Sequence, residues 1–220
     1  HGGGMTRPAA VLFDCDGVLV DSEPAGFDLL EAEFAAHGLP LDRDEMERLF
    51  VGSTIAALAD EARRMGAGFP PDWVDGFYEK LYARLAEGTA LFPGVGALLD
   101  RLDAAGIPYA VGSNGTTRKM RTTVGQHPGV WTRLKDHLYS GQEIGAPKPA
   151  PDLYLMAAEA LGVAPEGCVV IDDSATGCRG GLAAGMRVIG FAPGHVPDTL
   201  AALGVEIATS MADVGRRLGL

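Results

Sequence analysis

The chain has 220 residues, 47% of them hydrophobic and 21% charged, with a formal net charge of −11. That balance excludes wholesale disorder and allows a substantial core, in one large domain or in a core domain with a smaller insert. It also argues against sequence-independent nucleic-acid binding, which needs clustered Lys and Arg, and no apolar stretch is long enough for a transmembrane helix.

The run Ala9–Phe13 is continuously apolar and reads as a strand buried on both faces. It ends in Asp14, Asp16 and Gly17. Two carboxylates one residue apart at a buried strand end are costly unless neutralised, and a hard divalent cation such as Mg²⁺ takes oxygen ligands of this type. Gly17 permits the tight backbone that returns Asp16 over the site. Taken alone, the same residues also read as a turn or a helix cap. Helical spacing follows over Glu23–His37, and then over about 42–50, 54–65 and 72–87, with Gly52-Ser53, Gly66-Ala67-Gly68 and Pro70-Pro71 as breaks. Residues 22–88 therefore form a strand-free helical block, placed just after the first strand like a lid.

From Phe92-Pro93-Gly94 onward strands and helices alternate. Helices are expected at about 95–105, 116–124, 152–161, up to 184, 198–203 and 212–218. Strands are expected at 107–112, 137–140, 168–171 and 187–191. The alternation predicts an α/β fold with a Rossmann-like parallel sheet and a smaller α-helical domain, core 1–21 and 89–220, cap 22–88. Ligands of such sheets bind beyond the carboxyl ends of the strands. Ser113-Asn114-Gly115 and Asp172-Asp173-Ser174 lie at such ends, and Lys148 lies in a Pro-flanked loop.

Singly these read as a helix cap, a surface lysine and an Asx turn. In this order they make a kit for phosphoryl transfer: cations for phosphate oxygens and a carboxylate to attack phosphorus. Cys15, Cys168 and Cys178 are odd in number and fit no zinc or disulfide spacing, which predicts a reducing, cytoplasmic compartment. Cys15 reads as buried filler. No stretch reads as a signal peptide. The His1-Gly2-Gly3-Gly4 start precedes Met5 and any strand, and is read as an expression remnant.

Four stretches carry a resemblance: Phe-Asp-Cys-Asp-Gly-Val-Leu-Val-Asp-Ser from Phe13, Gly-Ser-Asn-Gly from Gly112, Pro-Lys-Pro-Ala-Pro-Asp from Pro147 and Ile-Asp-Asp-Ser-Ala-Thr-Gly from Ile171. Together they resemble the motifs of the haloacid dehalogenase-like superfamily, from Ala9 to about Phe191, with residues 22–88 resembling its early-inserted helical cap. The resemblance implies a Mg²⁺-dependent phosphatase. Asp14 would be the nucleophile and Asp16 the acid and base. Ser113, Asn114, Lys148 and the backbone at Cys15 and Gly17 would hold phosphate. Asp14, the Asp16 carbonyl, Asp173 and nearby Asp172 would hold the metal. Asp16 separates the chain from the dehalogenases.

Gly26 stands where the β-phosphoglucomutase branch carries His, and Val51–Thr54 lacks that branch's basic residue, which implies hydrolysis in place of mutase chemistry. Lys80, late in the last helix of the block, is a poor Schiff-base former. The run Ser113–Met120 is most similar to a bacterial branch acting on 6-phosphogluconate and related sugar phosphates. Glu23, Arg43, Arg48, Ser53, Thr54 and Lys80 are the candidates for specificity, each also readable as a solvated helix face. The expected partner is a small phosphorylated metabolite, with no nucleic acid and no membrane, for a monomer or weak dimer.

Overall fold

A computed structural model describes residues 7–50 and 53–220. The His1–Gly4 start, and Val51 and Gly52 of the Val51–Thr54 stretch, lie outside the described residues. The first apolar run forms β1 (Ala10–Phe13), buried throughout. Four helices follow: α1 (Glu23–Ala36), α2 (Arg43–Phe50), α3 (Ile55–Arg64) and α4 (Trp73–Ala86). The alternating part comprises α5 (Val95–Ala104), β2 (Tyr109–Ser113), α6 (Thr117–Val124), α7 (Pro128–Leu134), β3 (Leu138–Ser140), α8 (Asp152–Ala160), β4 (Cys168–Asp172), α9 (Ala175–Ala183), β5 (Arg187–Phe191), α10 (Asp198–Ala201), β6 (Glu206–Ala208) and α11 (Met211–Arg217).

The six strands make one parallel sheet in the order β3-β2-β1-β4-β5-β6. The chain thus runs outward from β1 in one direction and then in the other. That reversal opens a crevice at the carboxyl ends of β1, β2 and β4. Alternation along β1 divides the core. Val11 and Phe13 pack with Leu98, Leu99, Leu102 and Val214 on one face. Ala10 and Leu12 pack with Tyr154, Ala157, Val170 and Cys178 on the other. The strand is therefore apolar on both sides, as expected of a central parallel strand.

Two elements were not anticipated. The run Gly125-Gln126-His127-Pro128-Gly129, within which α7 starts, reads as a turn; the helix has Pro128 in its first turn and buries Val130 and Leu134. β6 has three residues, too few for alternation to register. β2 also starts later than expected, at Tyr109, and runs on to Ser113.

Helices α1–α4 have a hydrophobic cluster of their own, drawn wholly from residues of this block. Phe69 stacks on Trp73 with ring centroids 3.9 Å apart, and Trp73 on Phe77 at 4.9 Å. Glu33 is the polar exception inside it, accepting from Trp73 Nε1 at 2.9 Å and from the Lys80 ammonium. Burial would raise the Glu33 pKa, but the hydrogen bonds from Lys80 and Trp73 hold it below its ordinary 4.5. A lowered carboxyl stabilises above its unfolded pKa and stops doing so as pH falls through its folded value. Glu33→Ala should therefore cost about 1–3 kcal/mol at pH 7, by stranding the buried indole N–H and by losing the charge-assisted bond from Lys80. The deficit against wild type should shrink below pH 4.5 in thermal melts; an equal deficit at all pH values would refute this account.

The block joins the sheet by two chain crossings that run side by side. Asp21 N donates to Ala90 O at 2.9 Å and Phe92 N to Leu19 O at 2.9 Å. A second set of contacts ties α4 to the region around α6. Tyr82 OH lies 2.6 Å from Thr116 Oγ1, Tyr78 OH donates to Gln142 Oε1 at 2.8 Å, and Arg118 pairs with Glu79. Among the described residues, no helix is long and apolar enough to cross a membrane.

Candidate active site

At the end of β1 the chain turns sharply, with Leu19 N and Val20 N both donating to Cys15 O. The turn needs Gly17 twice over. Its φ is +81°, and an added Cβ would lie 2.2 Å from Asp173 Oδ2. Gly177 in α9 has the same role on the far side, since a Cβ there would sit 1.8 Å from Asp172 Oδ2. Backbone and carboxylates approach closely only because these two positions carry no side chain.

Lys148 is the central cation. Its Nζ lies 3.1 Å from Asp14 Oδ1 and 2.8 Å from Asp172 Oδ2. Asn114 fixes its loop, with Lys148 N donating to Asn114 Oδ1 at 2.8 Å and Asn114 Nδ2 donating to Lys148 O at 3.1 Å. Burial works against the Lys148 charge, but Asp14 and Asp172 more than compensate and raise its pKa. Asp172 is fully buried. Its Oδ2 also accepts from Tyr154 OH at 2.7 Å, and its Oδ1 accepts from Ser174 N at 3.0 Å and Ser174 Oγ at 2.9 Å.

One lysine does not balance this cluster. Asp14 is pushed up to about 7 by burial and by Asp172, with Lys148 pulling the other way. Asp173 is pushed well above the carboxylate range by burial, Glu23 and Asp14. Oxygens of Asp14, Asp172 and Asp173 lie within 4.8 Å of one another. Carboxylates so close and so short of positive charge fit a hard divalent cation of the Mg²⁺ type.

Asp16 stands apart from that cluster. Its Oδ1 accepts from Ser22 Oγ at 2.5 Å, and its Oδ2 pairs with Lys119 Nζ at 2.9 Å. Lys119 extends from α6, whose first turn is capped by Thr116 Oγ1 accepting from Lys119 N at 3.1 Å. Burial disfavours the Lys119 charge, and Asp16 outweighs it.

These groups share a cavity of about 140 Å³ between the sheet ends and helices α1–α4. Of the expected site residues, Asp14, Asp16, Glu23, Ser53, Ser113, Asn114, Lys148 and Asp173 line it. Asp172 does not; with both its oxygens taken by Lys148, Tyr154 and Ser174, it holds the lysine, and Asp14 and Asp173 are the members of the acidic cluster that face the cavity. Cys15 and Gly17, expected at the phosphate through their backbone, stand behind the cavity wall. Neither lines the cavity, and their N–H groups donate to Asp14 Oδ1 at 2.8 Å and Val20 O at 3.0 Å.

Two further specificity candidates face elsewhere. Arg43 pairs with Asp28 and Glu31, and Lys80 with Glu33. Arg48 is exposed. Thr54 does line the cavity, although its Oγ1 accepts from Ala57 N at 3.1 Å. The residues that sequence reasoning missed are Ser22, Lys119 and Tyr154. The one available signal was that Ser22 ends the first stretch that carries the resemblance and that Lys119 falls in the run Ser113–Met120.

Comparison with known proteins agrees with this geometry. Residues 8–185 match the family described as haloacid dehalogenase-like hydrolase. The chain is 35% identical over 189 residues to the 6-phosphogluconate phosphatase of Escherichia coli strain K12, covering 85% of this chain and 84% of that protein. It is 32% identical over 203 residues to hexitol phosphatase A of the same organism, covering 87% of each. A solved haloacid dehalogenase-family hydrolase from Deinococcus radiodurans, with bound phosphate and sodium, superposes with a TM-score of 0.72 at 37% identity, covering 95% of this chain and 94% of that one. Fold, site and relatives thus agree: the chain belongs to the haloacid dehalogenase-like hydrolases, and within them it is an enzyme of the phosphatase kind.

Proposed function

We propose that the enzyme is a Mg²⁺-dependent phosphatase that hydrolyses a small phosphate monoester, a sugar phosphate or a sugar-acid phosphate, through an aspartyl-phosphate on Asp14. One observation carries this reading: Asp14, Ser113, Lys148 and Asp173, from the ends of three adjacent strands and one loop, all face a single cavity. Residues 22–88 are the cap that closes it.

Asp14 Oδ attacks phosphorus while the bond from phosphorus to the ester oxygen breaks. Asp16, as the carboxylic acid, passes its proton to the departing alkoxide. Asp16, now a carboxylate, takes a proton from water as that water attacks the phosphoryl group, and the bond to Asp14 breaks to release inorganic phosphate. Microscopic reversibility suits one residue to both transfers. Lys148, Ser113 and Asn114 hold the equatorial phosphoryl oxygens, and the buried Asp172 keeps the Lys148 ammonium aimed at them.

Asp14, Asp173 and the carbonyl of Asp16 are the groups that would hold Mg²⁺. When bound, the ion offsets the charge of the carboxylates and of the phosphoryl oxygens. Lys119 and Ser22 hold Asp16 through one oxygen each, so Asp16 must exchange one of these partners for the leaving oxygen. Water is the acceptor because Gly26 presents no side chain to the cavity. The nearest group to a Cβ there would be Leu81 Cδ1 at 3.9 Å, which is apolar.

Phosphate release from p-nitrophenyl phosphate and a panel of sugar phosphates tests the reading. EDTA should abolish turnover and added Mg²⁺ should restore it, with a labelled acyl-phosphate on Asp14 caught by rapid quench. Full activity after thorough chelation would overturn the metal assignment. Glucose 6-phosphate forming from β-glucose 1-phosphate faster than inorganic phosphate would overturn hydrolysis in favour of mutase chemistry.

A further inference from the structure

The cavity has two unlike ends. At the sheet end it is crowded with charge. At the cap end its wall is made by Phe27, Leu30, Phe50, Ile55, Leu58 and Phe77. The polar groups among these are few and mostly engaged. Tyr78 OH donates to Gln142, and Thr54 Oγ1 caps α3. Ser53 adds one hydroxyl.

The positive charges also lie at the sheet end. Among the described residues, Lys119 and Lys148 are the only cations on the wall. Lys119 is paired with Asp16, and Lys148 with Asp14 and Asp172. Val51 and Gly52 carry no charge by sequence. The remaining ionisable group on the wall is Glu23, which lies beside Asp16 and Asp173 at the sheet end. A second anionic group on the substrate, distant from the ester, would be desolvated against hydrocarbon, with no cation among the described residues at the cap end to meet it. That is far costlier than burying a hydroxyl or a methylene.

We infer that the leaving alcohol is uncharged and lays hydrocarbon surface against the cap. Of the two classes in the proposed reaction, the sugar-acid phosphate is thereby disfavoured and the neutral one selected. This inference rests on the phosphatase reading and narrows it.

The test uses the full chain with Mg²⁺ and three monoesters of equal carbon number: 6-phosphogluconate, glucitol 6-phosphate and hexyl phosphate. kcat/KM for glucitol 6-phosphate should exceed that for 6-phosphogluconate by about tenfold or more, and hexyl phosphate should at least equal glucitol 6-phosphate, since one methylene in an apolar pocket already discriminates by about 10–200-fold. Ile55→Lys, which sets a cation in the cap wall, should raise 6-phosphogluconate relative to hexyl phosphate.

A binding measurement keeps the two readings separable. Hexylphosphonate should raise Tm more than 6-phosphonohexanoate does at equal concentration. If 6-phosphogluconate is the best of the three esters, or the two phosphonates bind alike, the inference falls while the phosphatase stands. If hexyl phosphate is an order of magnitude slower than glucitol 6-phosphate, the hydrocarbon contact is wrong. If none of the three esters and no p-nitrophenyl phosphate is hydrolysed, the phosphatase reading itself fails and takes the inference with it.

Discussion

Asp14→Asn should lower kcat by at least ~10³-fold without unfolding the protein, because the chain offers no substitute nucleophile in that position. The side chains are nearly isosteric, and the Asn oxygen can still accept from Cys15 N, which donates to Asp14 Oδ1 at 2.8 Å. The stability readout should move the other way. Asp14 is pushed up to about 7 by burial and by the charge of Asp172. An acid raised in this manner favours folding fully below its unfolded pKa of 3.8 and loses that contribution as pH rises through about 7. Above pH 7 its ionised form opposes folding in the metal-free protein, and the neutral amide removes that opposition. The metal-free variant should therefore melt at least as high as the metal-free wild type at pH 8, while losing most of the Tm gain that Mg²⁺ gives the wild type. Steady-state kinetics and paired melts with and without Mg²⁺ check both halves. Turnover within about tenfold of wild type would remove Asp14 from the nucleophile's place.

The parts of this site that lie at strand ends were legible in the sequence. A run such as Ala10–Phe13 announces its own burial, and the polar residue that ends it must then stand at the edge of the sheet. Asp14, Ser113 and Asp172 could be placed by that rule alone. Residues on helices could not. Lys119 sits in Thr117-Arg118-Lys119-Met120, where Arg118 is exposed and Met120 is buried. Periodicity places Lys119 between the two faces, and only the docking of α6 beside the β1 turn brings its ammonium to Asp16. Tyr154 reads as one more core aromatic of α8. Its hydroxyl matters because Asp172, 18 positions later, is buried against it.

The charged residues of the helical block misled in the opposite direction. Arg43 and Lys80 are candidates by composition, but their neighbours on α1 supply Asp28, Glu31 and Glu33, and local pairing wins. The apolar wall of the cavity was hidden for a different reason. Phe50, Leu58 and Phe77 obey the same helical pattern as any core residue, and the pattern does not say that part of their surface borders a cavity.

Lys148→Met should be the second damaging change, through two effects that can be separated. In catalysis it removes the ammonium that meets developing phosphoryl charge, which should cost about 10²–10³-fold in kcat. In the fold it strands Asp172, which has no exposed surface and counts Lys148 among its few partners. Removing one side of a buried ion pair costs about 3–5 kcal/mol. Tyr154 and Ser174 still donate to Asp172, so the lower end of that range is the better expectation. Adding Asp172→Asn should resolve the ambiguity. The amide keeps the acceptor for Tyr154 or Ser174 and buries no charge, so the double variant should recover much of the lost Tm. Activity should not follow, because nothing replaces the ammonium. Chemical denaturation of the wild type, the single variant and the double variant gives the stability cycle, and single-turnover phosphate release gives the kinetic one. If Asp172→Asn restored turnover together with stability, Lys148 would act only as a structural counterion to Asp172, and the phosphoryl oxygens would have to be held by Ser113, Asn114 and the metal without it.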